Sequence, residues 1–373
     1  MKTETLVYVG TYTEPIRFGT GKILQGKGEG ICVYRLDETS GALEPVRVVA
    51  GVVNPSYLAF DSAQRFLYAV NELKSYQGKP GGSVSAFRVE PKTGDLPFLN
   101  TQPTHGADPC HVVVNRKGSH VFVANFMSGS VCVLPVRADG SLGETCDFLQ
   151  HLGSSIDPVR QQGPHAHSVT LDAANRFAFV PDLGLDRLFA YRFDPTRGML
   201  EPNTVPWIKV KPGAGPRFLA FHPNGKWAYL INELDSTLTA LAFDGRQGAF
   251  KALQVVPTLP EDFRGESTCA DVQVAPSGRF VYGSNRGHNS IVIYRVDPRT
   301  GRLTCIGHEP TQGQTPRSFG IDPTGRFLLA ANQDTDTIVT FRIDPRTGRL
   351  QPTRAVTPVP TPVCVKFLLR KVG

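Results

Sequence analysis

The sequence has little that would suit an exported or membrane-bound protein. Its seven cysteines are an odd number, lie far apart and include no C-x-x-C pair, which is typical of reduced thiols in a cytosol. No apolar run approaches the roughly 20 residues of a membrane span. Residues 1–5 lead directly into a short β-like run and not into an export signal. We therefore expect a cytoplasmic protein that does not bind membranes.

The chain also lacks a dense basic segment. Its net charge is +7, but the lysines and arginines are scattered through turns and are not interleaved with aromatic residues in one run. A nucleic-acid-binding surface usually needs such clustering, so we expect no nucleic-acid partner. The excess of positive charge favours anionic ligands in general and does not say of which kind.

Several catalytic and cofactor motifs are missing. The sequence contains no G-x-S-x-G elbow and no P-loop, and the glycines of residues 26–30 lack the spacing of a dinucleotide fingerprint. His165 and His167 form a single H-x-H pair with no third ligand nearby in the sequence. We therefore expect no cofactor, no bound metal and no nucleophilic serine.

One repeated unit occupies the whole chain. Its clearest copies, residues 215–232 and 315–332, consist of two apolar β-type runs joined by a turn with proline second and glycine fourth. A second turn follows each hairpin and recurs seven times, at residues 37–43, 90–96, 138–142, 194–200, 244–250, 297–303 and 344–350. The period of about 53 residues, with four strands in each copy, is typical of propeller blades.

These repeats predict an all-β fold, a seven-bladed β-propeller of four-stranded antiparallel blades that forms a single domain over residues 1–373. The chain begins in the middle of a unit, so its N-terminal strands, residues 6–50, need a partner strand from residues 361–369. We expect residues 362–368 to pair with residues 6–9 and close the ring. Closure leaves no open sheet edge, which predicts a monomer or a weak homodimer.

The topology brings two sets of side chains to one end of the central channel, here called the top face. The starts of the innermost strands carry Ser56, Cys110, His167, Arg217, Ala270, Arg317 and Val363. The ends of the second strands carry Tyr12, Glu72, Phe126, Leu183, Glu233, Arg286 and Gln333. Ionic side chains crowded into a funnel are costly unless they are paired or used, so this rim is a predicted functional site, with interblade ion pairs as the alternative.

Long connections are expected at the same face, at residues 13–28, 73–81, 143–164 and 251–267. Loops collected on one face often carry function. The first and third of these are predicted to shelter a pocket.

Several segments resemble a known family at these positions. Pro164-His-Ala-His167, Asn232-Glu-Leu234 and Ser284-Asn-Arg-Gly287 are similar to the lactonase family of seven-bladed propellers, which includes bacterial 6-phosphogluconolactonases and a fungal carboxymuconate lactonizing enzyme. The resemblance implies a catalytic set of His167, Arg217, Glu233 and Arg286. Relatives often carry a second histidine where this chain has Phe218.

Lactone hydrolysis is the activity that this set predicts. Glu233 or His167 would be the base that activates water, and Arg217 and Arg286 would hold the oxyanion or an anionic group of the substrate. Arg317 is expected to bind a phosphate or carboxylate. The remaining predicted substrate-binding residues are Glu72, His165 and Gln333. The expected substrate is a small anionic sugar lactone, 6-phosphogluconolactone.

Three other functions remain open at this point. The same arginines suit a cycloisomerase that acts on a carboxylated diene acid, and the same pocket suits a lactonase for an unphosphorylated lactone. A non-catalytic propeller that binds a protein or peptide on its top face is the alternative from another class.

Overall fold

The structure is a computed structural model and describes residues 2–372. Seven four-stranded antiparallel sheets follow one another along the chain. Two additional sheets of two strands each lie in the connections. The predicted seven-bladed, all-β propeller is confirmed.

The blades are numbered in chain order, and each is given from its innermost to its outermost strand. Blade 1 contains Pro362–Val372, Lys2–Thr11, Gly30–Leu36 and Leu43–Ala50; blade 2 contains Leu58–Phe60, Phe66–Asn71, Ser83–Arg88 and Phe98–Pro103; blade 3 contains Pro109–Val114, His120–Asn125, Ser130–Pro135 and Asp147–Gln150; blade 4 contains Thr170–Leu171, Phe177–Asp182, Arg187–Asp194 and Met199–Lys209. Blade 5 contains Pro216–Phe221, Trp227–Asn232, Thr237–Asp244 and Ala249–Pro257; blade 6 contains Thr268–Val274, Phe280–Arg286, Ser290–Val296 and Leu303–Pro310; blade 7 contains Pro316–Ile321, Phe327–Asn332, Thr337–Ile343 and Leu350–Pro358.

The recurring turn residues explain why the chain reverses at regular intervals. In blade 7, the Gly325 N–H donates to the Asp322 carbonyl at 2.8 Å, and Gly325 has a φ of +72°, which glycine adopts without steric cost. The Asp322 carboxylate accepts a hydrogen bond from the Phe327 N–H at 2.6 Å and so fixes the start of the next strand. The corresponding turns of blades 2, 3 and 4 are capped in the same way by a side-chain oxygen of Asp61, Asn115 and Asp172, respectively.

The hydrophobic core lies between neighbouring blades. Val7 and Val9 of blade 1, for example, belong to one buried cluster with Leu329 and Ile338 of blade 7. Each blade buries both faces in this way, so no blade has a core of its own.

The ring closes as the sequence predicts. In blade 1, Leu6 pairs with Leu368 and Val9 with Val365, in an antiparallel register. The last strand of the chain is therefore the innermost strand of the first blade.

The predicted top loops contain more regular structure than expected. Strand Asp147–Gln150 lies inside residues 143–164, and strand Ala249–Pro257 occupies much of residues 251–267. These outer strands are half exposed, so their hydrophobic pattern is weak in the sequence. Residues 13–28 hold the hairpin Ile16–Arg17 with Ile23–Leu24, and residues 73–81 hold Ser75–Tyr76 with Lys79–Pro80.

Helical structure within residues 2–372 is limited to the single 3₁₀ turn Gln333–Thr335. No helix in this part of the chain is long and apolar enough to cross a membrane.

Candidate active site

β-bulges aim the first set of rim residues into the channel. In blade 5, Pro216 pairs with Asn232 and Phe218 with Ile231, which leaves Arg217 outside the ladder. Cys110 in blade 3 and Arg317 in blade 7 are skipped by their ladders in the same way. A bulge re-aims the side chain of the extra residue, and here it does so at the mouth of the channel.

Backbone hydrogen bonds hold the second set beside the first. The Glu233 N–H donates to the Gly215 carbonyl at 2.6 Å, two residues before Arg217. The Glu72 N–H makes the equivalent bond to Asn54 in blade 2, at 3.1 Å. The strand ends therefore carry both sets of side chains to the same rim, as the topology predicts.

A cavity of about 370 Å³ opens at this rim. Its lining includes six of the eight predicted site residues, namely Glu72, His167, Glu233, Arg286, Arg317 and Gln333. Arg217 lines a narrower void that continues from the cavity floor into the channel.

His165 is the predicted binding residue that does not line the cavity. Its ring stacks on Phe126 with ring centres 4.6 Å apart, and its Nδ1 lies 3.0 Å from the Phe126 carbonyl oxygen. In the structure this ring packs against a side chain of the cavity wall.

Three arginines surround one buried carboxylate. Arg160 Nη2 lies 2.6 Å from Glu233 Oε1, while Arg217 Nε and Arg286 Nη2 lie 2.8 Å and 2.9 Å from Oε2. Both Glu233 and Arg217 are only 3% exposed. Each oxygen of the carboxylate is therefore occupied by a guanidinium group.

The charges in this cluster determine the protonation states. Burial alone would raise the pKa of Glu233, but Arg286, Arg160 and Arg217 hold that pKa well below its usual value. Burial and the charge of Arg286 lower the pKa of Arg217 to about 10, so it stays cationic at neutral pH. Burial and Arg217 also hold the pKa of His167 well below its usual value, which leaves a neutral imidazole.

This arrangement suits Glu233 to a positioning role. A carboxylate with a depressed pKa is a weak base, and its oxygens are already ion paired. What it does well is to orient three guanidinium groups around the cavity. The N–H of Arg286 Nε is buried and has no acceptor within residues 2–372, so this guanidinium keeps one unpaired donor beside the cavity that its side chain lines.

Arg317 differs from the other rim arginines. Its guanidinium makes no hydrogen bond or ion pair within the described chain and lies 5.6 Å from the Tyr12 ring centre and 5.1 Å from that of Phe18. Cation–π contact holds the group in place while its N–H donors stay available. A free, oriented guanidinium in a cavity is a suitable ligand for a phosphate or carboxylate.

Sequence reasoning did not identify all of the cavity residues. Arg160 comes from the long connection before blade 4, and Arg17 and Lys22 come from the hairpin of residues 16–24. Asp108 lies two residues before the rim position of blade 3. The long loops predicted a sheltered pocket, but no repeat register exists there to say which side chains point inward.

Thiol and metal chemistry find little support at the rim. Cys110 Sγ lies 3.7 Å from His167 Nδ1, but burial and the charge of Glu72 raise the pKa of the Cys110 thiol, so it stays protonated. Within residues 2–372, no three histidine, cysteine or carboxylate side chains are arranged to hold a metal ion.

A known protein family matches almost the whole chain. The family model described as "Lactonase, 7-bladed beta-propeller" matches residues 6–367. The chain belongs to this family. The resemblance found in the sequence is thereby confirmed, and the lactonase family also accounts for the fold.

Two curated relatives and one solved structure are similar over most or nearly all of the chain. A 6-phosphogluconolactonase of Bacillus subtilis is 37% identical over 366 residues, which cover 98% of this chain and 99% of the relative. A 6-phosphogluconolactonase of Formosa agariphila is 35% identical over 85% of this chain and 86% of its own. The solved structure of a periplasmic gluconolactonase of Pseudomonas aeruginosa has a TM-score of 0.90 at 35% identity, and the match covers 98% of this chain and 99% of the other.

Proposed function

We propose that the protein hydrolyses 6-phosphogluconolactone to 6-phosphogluconate. The observation that carries the proposal is the uneven pairing of four arginines at the top of the channel: Glu233 holds three of them, and Arg317 is left free in the cavity. The names of the two bacterial relatives support the same substrate.

Arg286 and Arg217 have different proposed roles at the carbonyl group of the lactone. Arg286, whose guanidinium lines the cavity, would receive the negative charge that develops on the carbonyl oxygen during attack by water. Loss of one such donor typically costs about 3 kcal/mol of transition-state stabilisation. Arg217 lies deeper and would support Arg286 through their shared partner Glu233.

The phosphate would bind near Arg317. Arg17 and Lys22 of the hairpin at residues 16–24 line the same cavity and add two positive charges at its mouth. A dianion there gains from several cations at once, and charge-assisted contacts of this kind are among the stronger ones in proteins. Gln333, next to Arg317 in blade 7, would contact the sugar hydroxyl groups.

A lactone panel tests the proposal. We expect purified protein to accelerate hydrolysis of 6-phosphogluconolactone above the spontaneous rate, and inorganic phosphate to compete. Arg17→Ala should raise KM for the phosphorylated lactone but not for gluconolactone, whereas Lys79→Ala on the other top hairpin, outside the cavity, should change neither. Absence of any rate enhancement on all lactones would favour the binding-scaffold or cycloisomerase alternatives.

An unphosphorylated lactone is the second candidate substrate. The periplasmic gluconolactonase of Pseudomonas aeruginosa favours it, because it covers 98% of this chain at a TM-score of 0.90. The ratio of kcat/KM for the two lactones separates the candidates. The same relative leaves the compartment open, so the cytoplasmic location and the monomeric or weakly dimeric state stay proposals, to be tested by fractionation and sedimentation.

A further inference from the structure

The side chain of Asp108 is buried, but it makes no hydrogen bond that would stabilise the described part of the fold. The residue is 3% exposed and lines the top cavity. Its carboxylate accepts no hydrogen bond within residues 2–372, and the closest cation, Lys74 Nζ, is 3.9 Å away on a half-exposed side chain. Buried carboxylates are normally hydrogen-bonded, so an unpaired one aimed into a cavity needs another reason.

The other blades provide an internal comparison. Asn54, Thr315 and Thr361 occupy the same position, two residues before the rim residue, and share the left-handed backbone of Asp108, whose φ is +53°. Each of them bonds a neighbouring segment through its side chain: Asn54 Oδ1 accepts from the Thr13 N–H at 2.8 Å, Thr315 Oγ1 donates to Asp334 at 2.9 Å and Thr361 Oγ1 donates to the Tyr12 carbonyl at 2.7 Å. The position therefore has a structural use in those blades that Asp108 does not share.

The surroundings of Asp108 bring the pKa of its carboxyl group close to neutral pH. Burial and the charge of Glu72 raise the pKa of Asp108 to about 7, against a small opposing effect of Lys74. Glu72 has a pKa that burial raises as well, and it accepts a hydrogen bond from the Tyr12 hydroxyl at 3.0 Å. The Cys110 thiol, two residues along the chain, also feels the charge of Asp108, and burial keeps this thiol protonated. The same cavity wall holds further ionisable side chains, namely His167, Glu233, Glu266, Asp334, Lys22, Arg17, Arg160, Arg286 and Arg317.

We propose that Asp108 is the general base that activates the water molecule attacking the lactone. The inference rests on the proposed function. The Asp108 carboxylate takes a proton from water as the water oxygen bonds to the carbonyl carbon. The acyl–oxygen bond of the ring then breaks, and Asp108 returns the proton to the departing ring oxygen. One water is added in total, and the acid product ionises to solvent.

The other candidate bases are already engaged. Both carboxylate oxygens of Glu233 are ion paired. The pKa of His167 is held well below its usual value, which makes its imidazole a weak base. Glu72 is bonded to Tyr12 and faces Arg317. Asp108 alone among these residues combines free oxygens, access to the cavity and a proton affinity suited to neutral pH.

The test is the pH–rate profile of 6-phosphogluconolactone hydrolysis, corrected for the spontaneous rate. For the wild type, kcat/KM should rise with pH through about 7, because the base must be ionised. Asp108→Asn should lower kcat by about 100-fold or more, with KM little changed. It should also remove this rise, which is the acidic limb of the pH–rate profile. Glu72→Gln should shift the limb to lower pH, since it removes the neighbouring negative charge.

Glu144→Gln is the matched control, because it removes an exposed carboxylate from the same blade. This variant should keep the wild-type rate and the acidic limb of the pH–rate profile. Circular dichroism should show Asp108→Asn folded, because amide and carboxylate have the same shape. An active wild type whose Asp108→Asn variant keeps its rate and limb would overturn the role of Asp108 and leave the function standing. An inactive wild type would overturn the proposed function and this inference with it.

Discussion

At the scale of single residues, Glu233 is the centre on which the rim depends. Its carboxylate is the partner of Arg160, Arg217 and Arg286, and it is buried. Glu233→Gln would leave three cations without compensation, and breaking a buried ion pair typically costs about 3–5 kcal/mol. We expect a loss of stability of that order in urea unfolding, together with loss of lactone hydrolysis.

Glu201→Gln is the control for this change. Glu201 pairs with Arg197 on the surface, and both side chains are more than half exposed, so we expect almost no effect on the unfolding midpoint. Equal midpoints for the two variants would contradict the central position of Glu233.

Asp108 should also influence stability as pH changes. The raised pKa, about 7 in the folded state against 3.8 unfolded, means that the folded protein binds the proton more tightly. Protonated Asp108 therefore stabilises the folded state fully below pH 3.8. This contribution to the free energy of unfolding, about 4 kcal/mol, is lost as pH rises to about 7. We expect Asp108→Asn to melt at a higher temperature than wild type in alkaline buffer and at a similar temperature in acid. A lower melting temperature in alkaline buffer would contradict this assignment.

The sequence predicted the site residues that occupy equivalent positions in every blade. It did not predict the site residues that lie outside the repeated strands. Arg217 and Glu233 follow from their places at strand ends, because every blade repeats the same two positions. Arg160 and Asp108 enter the cavity through a long loop and a left-handed turn, whose side-chain directions depend on tertiary contacts. His165 was expected to bind substrate from its sequence segment, yet its ring packs on Phe126.

At the scale of elements, a buried glutamine anchors the part of the connection between blades 3 and 4 that carries Arg160. Gln161 Nε2 donates to the Leu183 carbonyl at 2.8 Å, and Gln161 Oε1 accepts from the Asp157 N–H at 3.1 Å. The next residue back along the chain, Arg160, reaches Glu233. The anchor therefore sets the position of a cavity arginine from a segment that otherwise carries exposed residues such as Ile156.

We expect Gln161→Ala to release this connection and to lower kcat/KM by about tenfold, since one lost hydrogen bond to a buried group is worth ~1.4 kcal/mol. Arg160→Ala should give a similar loss, because both changes remove the same guanidinium from Glu233. Gln162→Ala alters the adjacent, exposed glutamine and should retain wild-type activity. Steady-state kinetics on the lactone make the comparison, and full activity of Gln161→Ala would rule out the anchoring role.

At the scale of the whole molecule, the ring shares its strands between the two ends of the chain. Lys2–Thr11 has Pro362–Val372 on one side and Gly30–Leu36 on the other. The sequence predicted this closure because the first and last units are each incomplete. We propose that residues 1–373 fold as one domain, since the seven large core clusters each lie between two neighbouring blades.

Removal of residues 362–373 tests that proposal. The deletion leaves the edge of Lys2–Thr11 unpaired and opens the interface with blade 7, so we expect aggregation or loss of the cooperative transition. The matched control is a circular permutant in which a short linker joins residues 373 and 1 and the chain opens between Gln77 and Gly78, at an exposed hairpin tip. The permutant keeps every blade complete, and Lys2 already lies opposite Val372, so it should unfold in one transition and retain activity. A truncated chain with the wild-type melting temperature, or a permutant that unfolds in two steps, would show that the ring is not a single cooperative unit.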